Sequence, residues 1–131
     1  MAMPAVVKDL FSRPDSTKVL VTSDASGQPH AIVCGSIFVI DDNTLAVGEV
    51  LMKATIANMT ANNKVALEAI SGPAAYEVRG KVIGRQDSGP VLDGLNQNLA
   101  KVNLKAKAVW LFSADEVYDE SAGPIAGKKF A

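Results

Sequence analysis

The chain has 131 residues and a mass of 13.7 kDa, a size that suits one compact domain and is too small for two ordinary ones. Apolar residues make up 48% and charged residues 21%, which are globular proportions and exclude a disordered chain. The 13 Lys and Arg residues nearly balance the 14 Asp and Glu residues, giving a net charge of -1 with no run of like charge, which argues against nucleic acid and membranes as partners.

The sequence predicts neither a membrane anchor nor a disulfide. Its longest apolar stretch, residues 31–40, is far shorter than the roughly 20 residues that a membrane-spanning helix needs. Lys8 and Asp9 stand where a secretory signal would have its apolar centre, so we expect a cytoplasmic protein. The single Cys, Cys34, cannot close an intrachain disulfide, and with the single His, His30, it cannot complete a zinc site of the usual type. We therefore expect no metal.

The first half of the chain predicts a short helix followed by strands. Apolar residues spaced at i, i+3 and i+4 predict a helix over residues 4–11. The apolar pattern then changes to that of strands, which are predicted at residues 18–23, 30–40 and 44–50. Short turn sequences separate these strands, so we expect them to pair as an antiparallel meander.

The second half alternates helices with strands. Helices are predicted at residues 54–63 and 90–101, and strands at 64–70, 76–86 and 105–113. A Gly- and Lys-rich tail over residues 121–131 is expected to lie across the rest of the chain. Six strands joined mostly by short turns predict a mainly β protein, an antiparallel barrel with two or three short helices in one domain over residues 1–131.

Side chains suited to acid–base or covalent catalysis are scarce. His30 begins a strand, where a hydrogen-bonding role at the barrel rim is the simpler interpretation. Cys34 has no cationic neighbour in the sequence that would activate it as a nucleophile, so an inert thiol is expected. The adjacent acids Asp41 and Asp42 lie in a predicted hairpin turn, where solvation explains them. We therefore name no catalytic residue.

The segment from Val47 to Thr55 passes from a strand directly into a helix, with Lys53 and Thr55 at the junction. A helix start offers unpaired N–H groups and partial positive charge, to which Lys53 adds a full charge and Thr55 a hydroxyl donor. These residues predict an anion site. The alternative is an ordinary helix start, with Thr55 as the cap and Lys53 in water.

The order of these elements and motifs resembles a known family over nearly the whole chain. The shared features are the first helix, Asp24 to Gly27, Pro29-His30, the long apolar strand, Asp41-Asp42-Asn43, Gly48, Lys53 to Thr55, Asn62 to Ala66, Val78-Arg79-Gly80 and the tail from Ser121. In these features the chain resembles the FMN-binding split barrels, which comprise the pyridoxamine-5′-phosphate-oxidase-like proteins and the small bacterial FMN-binding proteins.

The resemblance implies a six-stranded antiparallel split β-barrel that forms a homodimer and binds FMN at the subunit interface. It implies a small oxidoreductase or electron carrier of unknown substrate, in which the flavin supplies the reactivity. Lys53 and Thr55 would hold the phosphate, and Ala54 between them belongs to the same predicted cofactor-binding segment. The residues that would border the ring and ribityl chain are Val33, Cys34 and Gly35 on the long strand and Gly48, Glu49, Val50, Leu51 and Met52 before the helix.

Two residues depart from the family's pattern. Ala54 separates Lys53 from Thr55, whereas family members commonly have adjacent Lys and Thr, and Glu49 adds a negative charge close to the proposed phosphate site. These departures leave open a flavin-free barrel that serves as a binding or structural module. Relatives that bind F420 or haem leave those cofactors open as well. True pyridoxamine-5′-phosphate oxidases hold their substrate with further basic residues, so that activity is not expected here.

Overall fold

The computed structural model describes residues 2–130; Met1 and Ala131, the ends of the predicted domain and tail, lie outside the described residues. The helices within this range are α1 (Ala5–Ser12), α2 (Ala54–Ala61) and α3 (Pro90–Leu99), and α3 continues into a 3-10 turn (Ala100–Val102). The strands are β1 (Thr17–Ser23), β2 (Pro29–Val33), β3 (Ile37–Asp41), β4 (Thr44–Gly48), β5 (Lys64–Ser71), β6 (Ala74–Gln86), β7 (Val109–Ser113), β8 (Glu116–Asp119) and β9 (Lys128–Lys129).

The strands form one antiparallel, barrel-like sheet in the order β2-β1-β5-β6-β7-β4-β3. The 13-residue strand β6 is shared by two parts of this sheet. Its first part pairs with β5 on one edge and with β8 on the other, and its last part pairs with β7. Within the described residues no ladder joins the two ends of the order, β2 and β3, so the barrel is split at this point.

The strand count differs from the sequence-based prediction of six, because the described residues form nine strands. The predicted long strand at 30–40 is broken at residues 34–36: β2 pairs with β1, whereas β3 pairs with β4. Two hairpins therefore replace the predicted meander. The backbone N–H of Cys34 donates to the carbonyl of Lys18 at 2.9 Å, and the N–H of Gly48 donates to the carbonyl of Ser36 at 3.2 Å. These bonds hold the two sides of the break to different neighbours.

Segments near the C-terminus account for the remaining strands. The strand predicted at 105–113 begins at Val109, because the four preceding residues are held by loop contacts. Residues 116–119 form β8, and the described part of the predicted tail returns along β8 as β9. Its Phe130 packs edge-on against Tyr76, with the ring centroids 6.0 Å apart.

The main core is enclosed by the sheet and covered by α1. Its fully buried members are led by Phe11, Phe112, Leu20, Leu45, Leu67, Val7, Val47, Val78 and Val117. A smaller apolar cluster under α3 contains Leu92, Ala106 and Val109. In this cluster α3 approaches the end of β4 so closely that a Cβ on Gly48 would lie 2.6 Å from Cδ2 of Leu95. This packing places α3 beside the β4–α2 junction.

Candidate functional site

Six of the residues that the sequence assigned to a cofactor line one groove of about 500 Å³. They are Val33, Cys34 and Gly35 from the break between β2 and β3, and Val50, Leu51 and Met52 from the β4–α2 junction. The opposite wall comes from the end of α3 and the loop after it, with Leu99, Val102 and Leu104. We call this the apolar groove.

The walls of the apolar groove expose large aliphatic side chains. Leu51 is 93% exposed, Val33 75% and Val102 62%. Leu51 also has a φ of +53°, in the left-handed region that non-glycine residues rarely adopt. Several exposed aliphatic groups around one groove are typical of a surface that binds a ligand or a partner.

A second cavity of about 600 Å³ shares a wall with the apolar groove, since Val50, Leu51, Met52 and Leu104 line both. Its distinctive residues are Lys53, Lys105 and Lys107, together with Glu49 and Asn103. We call it the lysine cavity. The two cavities together form an apolar compartment next to a cationic one.

Glu49 does not leave its negative charge free in the lysine cavity. Its carboxylate accepts hydrogen bonds from Nε and Nη2 of Arg85 at 3.1 and 3.3 Å, and from the indole Nε1 of Trp110 at 2.8 Å. The side chain is only 12% exposed. The hydrogen bond from Arg85 is the largest cause that holds the pKa of Glu49 below its ordinary value, and Trp110 adds to it. Glu49 is therefore an ionised, fully paired carboxylate.

The residues predicted to bind phosphate are placed differently from one another. Lys53 occupies the position just before α2, is exposed and lines the lysine cavity. Ala54 is also exposed, whereas Thr55 is 1% exposed in the first turn of the helix. No side chain of the described residues caps α2, so Thr55 does not act as the cap. Gly48 is buried beneath α3 and lines neither cavity.

Two lysines of the site, Lys105 and Lys107, escaped the sequence-based prediction because they lie far along the chain. Strand pairing brings them in, since Gly48 at the end of β4 pairs with Val109 at the start of β7. In an antiparallel pair, the residues after one strand lie beside the residues before the other. The alternation of Lys105 and Lys107 with alanines was the available signal, but it had been assigned to a strand.

Cys34 lines the apolar groove and is 8% exposed. Its sulfur is 3.1 Å from the hydroxyl of Ser36, which in turn donates to the carbonyl of Gly48 at 3.2 Å. His30 lines neither the groove nor the lysine cavity. Of Cys34 and His30, only Cys34 therefore lines the candidate site.

Metal and membrane features were searched over residues 2–130. In that range no group of three or more His, Cys, Asp and Glu side chains is arranged to hold a metal ion. None of the helices described is both long enough and apolar enough to span a bilayer.

The split sheet, the shared strand β6 and the groove at the strand-to-helix junction define a split-barrel protein. The solved structures that share this fold include the following three. HupZ of Group A Streptococcus is 23% identical, with a TM-score of 0.78, over 95% of this chain and 99% of that one. An FMN-binding protein from Syntrophomonas wolfei is 15% identical, with a TM-score of 0.77, over 91% of each chain. A protein from Lactobacillus delbrueckii, proposed to be a pyridoxamine 5′-phosphate oxidase, is 25% identical, with a TM-score of 0.71, over 89% of this chain and 93% of that one.

The chain shares the split-barrel fold of the pyridoxamine-5′-phosphate-oxidase-like proteins. The fold also occurs in an F420 reductase and in HutZ, a haem storage protein from Vibrio cholerae, each with a TM-score of 0.67. No protein-family model and no curated protein matches the sequence.

Proposed function

We propose that this protein is a homodimeric flavoprotein that binds FMN, with the ring in the apolar groove and the phosphate in the lysine cavity at Lys53. The observation that carries the proposal is the wall that the two cavities share, residues 50–52. FMN has an apolar ring at one end and a phosphate at the other. An apolar compartment beside a cationic one matches that division.

The proposed dimer follows from the openness of the groove. Leu51 and Val33 are largely exposed, so one chain covers a ring on one side only. A second copy related by a two-fold axis would supply the missing wall and cover these side chains. Light scattering of the FMN-loaded protein should therefore return about twice the chain mass of 13.7 kDa. A mass equal to that of one chain would contradict the dimer.

The proposed activity is that of a small oxidoreductase or electron carrier. Bound FMN would supply hydride and electron transfer, while the protein supplies binding, orientation and exclusion of water. The aliphatic walls of the groove would keep water from the ring, and Lys53 would hold the phosphate. The described lining of the groove contains no Lys, Arg or His beside Cys34, whose sulfur contacts the Ser36 hydroxyl, so we assign this thiol no catalytic role.

F420 and haem remain the competing cofactors, and a flavin-free barrel remains the competing class. The placement of His30 outside both cavities disfavours haem held through an axial His at this site. An absorption spectrum of the purified protein separates these cases, because flavin, deazaflavin and haem absorb differently.

The test of the proposed function is a titration of FMN and riboflavin into the wild type and Lys53→Ala. A charge-assisted hydrogen bond contributes roughly 1.5–3 kcal/mol, so Lys53→Ala should weaken FMN binding by about ten- to a hundredfold and leave riboflavin nearly unchanged. Lys101→Ala is the matched control, since Lys101 is exposed and lines neither cavity. Equal losses for both ligands would remove Lys53 from the phosphate site. A wild type without affinity for FMN would overturn the function and favour the flavin-free module.

A further inference from the structure

We propose that Lys105 and Lys107 complete, with Lys53, a three-lysine subsite for a multiply charged anion such as a terminal phosphate. This subsite extends the proposed FMN site and rests on that proposal. We expect this subsite to bind a phosphorylated compound more tightly than the same compound without its phosphate. Lys105 and Lys107 are thereby specificity-determining residues that come from the loop before β7.

The loop that carries Lys105 and Lys107 is fixed on both sides. The side chain of Asn96 in α3 accepts the N–H of Ala106 at 2.8 Å and donates to its carbonyl at 3.2 Å. The N–H of Lys107 donates to the carbonyl of Glu49 at 3.2 Å, and the N–H of Glu49 donates to the carbonyl of Ala108 at 2.9 Å. A backbone held by four such bonds presents its side chains with little loss of conformational freedom on binding.

Burial directs the two lysines to the same side of this loop. Ala106 is 1% exposed and Ala108 is 0% exposed, since both pack beneath the surface. Lys105 and Lys107 alternate with them and are exposed. Both line the lysine cavity together with Lys53, which approaches it from the start of α2.

None of the five ion pairs among residues 2–130 includes Lys53, Lys105 or Lys107. The one acid that lines their cavity, Glu49, is hydrogen-bonded by Arg85 and Trp110, and its charge interaction with Lys107 is weaker than the hydrogen bond from Arg85.

Two other acids lie nearby without pairing with these lysines. Asp87 and Asp93 line a neighbouring cavity that Lys105 and Lys107 also border, but neither forms an ion pair with either lysine. Like charges around one cavity repel one another, and an anion with two or more charges relieves that repulsion.

The same anion chemistry has two sources, a phosphate attached to a flavin and a free phosphate. Titrations of FMN, riboflavin and inorganic pyrophosphate distinguish them. The variants are Lys105→Ala, Lys107→Ala and the double replacement, with Lys101→Ala as the charge-matched control. The double Lys→Arg replacement at 105 and 107 keeps both charges and should restore binding.

For the double alanine variant we expect FMN affinity to fall by about tenfold or more. Both lysines are exposed, and an exposed ion pair contributes up to roughly 1 kcal/mol, so the two losses together give this change. The salt dependence of FMN binding should become shallower, because fewer charges act on the phosphate. Riboflavin affinity and the thermal midpoint should stay at the wild-type values. Pyrophosphate should compete with FMN in the wild type and not with riboflavin.

The outcomes separate this inference from the proposed function. If Lys53→Ala weakens FMN binding and the double variant binds FMN like the wild type, the three-lysine subsite is wrong and the FMN function stands. If the wild type binds no FMN, calorimetry with pyrophosphate tests whether the three lysines bind an anion at all. Pyrophosphate binding that the double variant loses supports the subsite alone, and its absence in the wild type overturns the subsite as well.

Discussion

Glu49 and Trp110 are joined by a 2.8 Å hydrogen bond in which the indole N–H donates to the carboxylate. Glu49 begins the segment that leads to Lys53, and Trp110 lies in β7 with 6% of its surface exposed. Arg85 from β6 binds the same carboxylate and lies over the indole, 5.8 Å from its centroid. One carboxylate thus ties the wall of both cavities to two strands of the sheet.

Glu49→Gln should destabilise the protein at neutral pH by about 1 kcal/mol, because the neutral amide loses the charge-assisted bonds and Arg85 is partly exposed. The pKa of Glu49 is lowered in the folded protein, chiefly by Arg85. Its stabilisation is therefore present above the ordinary value of 4.5 and is lost as the pH falls through the folded pKa. Urea denaturation at several pH values measures this.

The difference between the wild type and Glu49→Gln should shrink steadily below pH 4.5. Asp115→Asn removes one negative charge from an exposed loop residue that does not contribute to the pKa shifts of Glu49 or Arg85, and it serves as the control. A difference that does not change with pH would show that Glu49 stabilises the junction by packing and not by its charge.

Gly80→Ala should be far more damaging than Gly94→Ala. A Cβ on Gly80 would lie 1.7 Å from the carbonyl oxygen of Ser113, where the neighbour of β6 changes from β8 to β7. The backbone must shift to accept it, which we expect to cost about 3 kcal/mol or more. Gly94 lies within α3 with no atom in range of a new Cβ, so alanine there should stabilise by about 0.5–1 kcal/mol. Urea denaturation measures the stability of both variants. Similar losses of stability in Gly80→Ala and Gly94→Ala would contradict the close approach of Ser113 to Gly80.

The sequence predicts most of the individual elements because their signals are local. The strand predicted at 64–70 is β5, and the two helices predicted to begin at Ala54 and Pro90 do begin there. The break in the predicted strand at 30–40 falls at Cys34, Gly35 and Ser36, where the local signal is one glycine, and a glycine also fits a bend within a continuous strand. The strand is interrupted because its first half pairs with β1 and its second half pairs with β4. These pairings form only when the chain folds.

The candidate site likewise has a part with a local sequence signal and a part that depends on long-range pairing. The contiguous segment 50–53 was predicted, because a strand that runs into a helix with a lysine is visible in sequence. Lys105 and Lys107 depend on the β4–β7 register, which periodicity does not encode. The pairing of Glu49 with Arg85 and Trp110 is also a long-range contact. The sequence therefore predicted that the charge of Glu49 would weaken anion binding, but it did not show that Arg85 and Trp110 hydrogen-bond this carboxylate.

Leu51→Asn should stabilise the cofactor-free protein while weakening FMN binding. Leu51 has a φ of +53° and is 93% exposed, so it carries backbone strain without contributing to the core. The left-handed conformation costs about 1–2 kcal/mol, and Asn tolerates it better, so a gain of up to about 1 kcal/mol is expected. Thermal denaturation without FMN and a titration with FMN measure the two effects.

Ile125→Asn is the control for Leu51→Asn, because Ile125 is 52% exposed, has no positive φ and lies outside the groove. It should bring no gain in stability and no loss of FMN affinity. If Leu51→Asn stabilised the protein and bound FMN as tightly as the wild type, the exposed leucine would have no part in the proposed site.

Replacing His30 or Cys34 by Ala should leave the reduction rate of bound FMN within about tenfold of the wild type, or roughly 1.4 kcal/mol of barrier. His30 lines neither cavity, and among the described residues that line the groove with Cys34 there is no basic side chain that would activate its thiol. The measurement is the rate at which dithionite bleaches the flavin absorbance, followed by its recovery in air. Each variant must first be shown to hold FMN as the wild type does. A Cys34→Ala protein that keeps FMN and loses orders of magnitude in rate would place the thiol in the chemistry, and the same result for His30 would show that a group outside both cavities reaches the flavin.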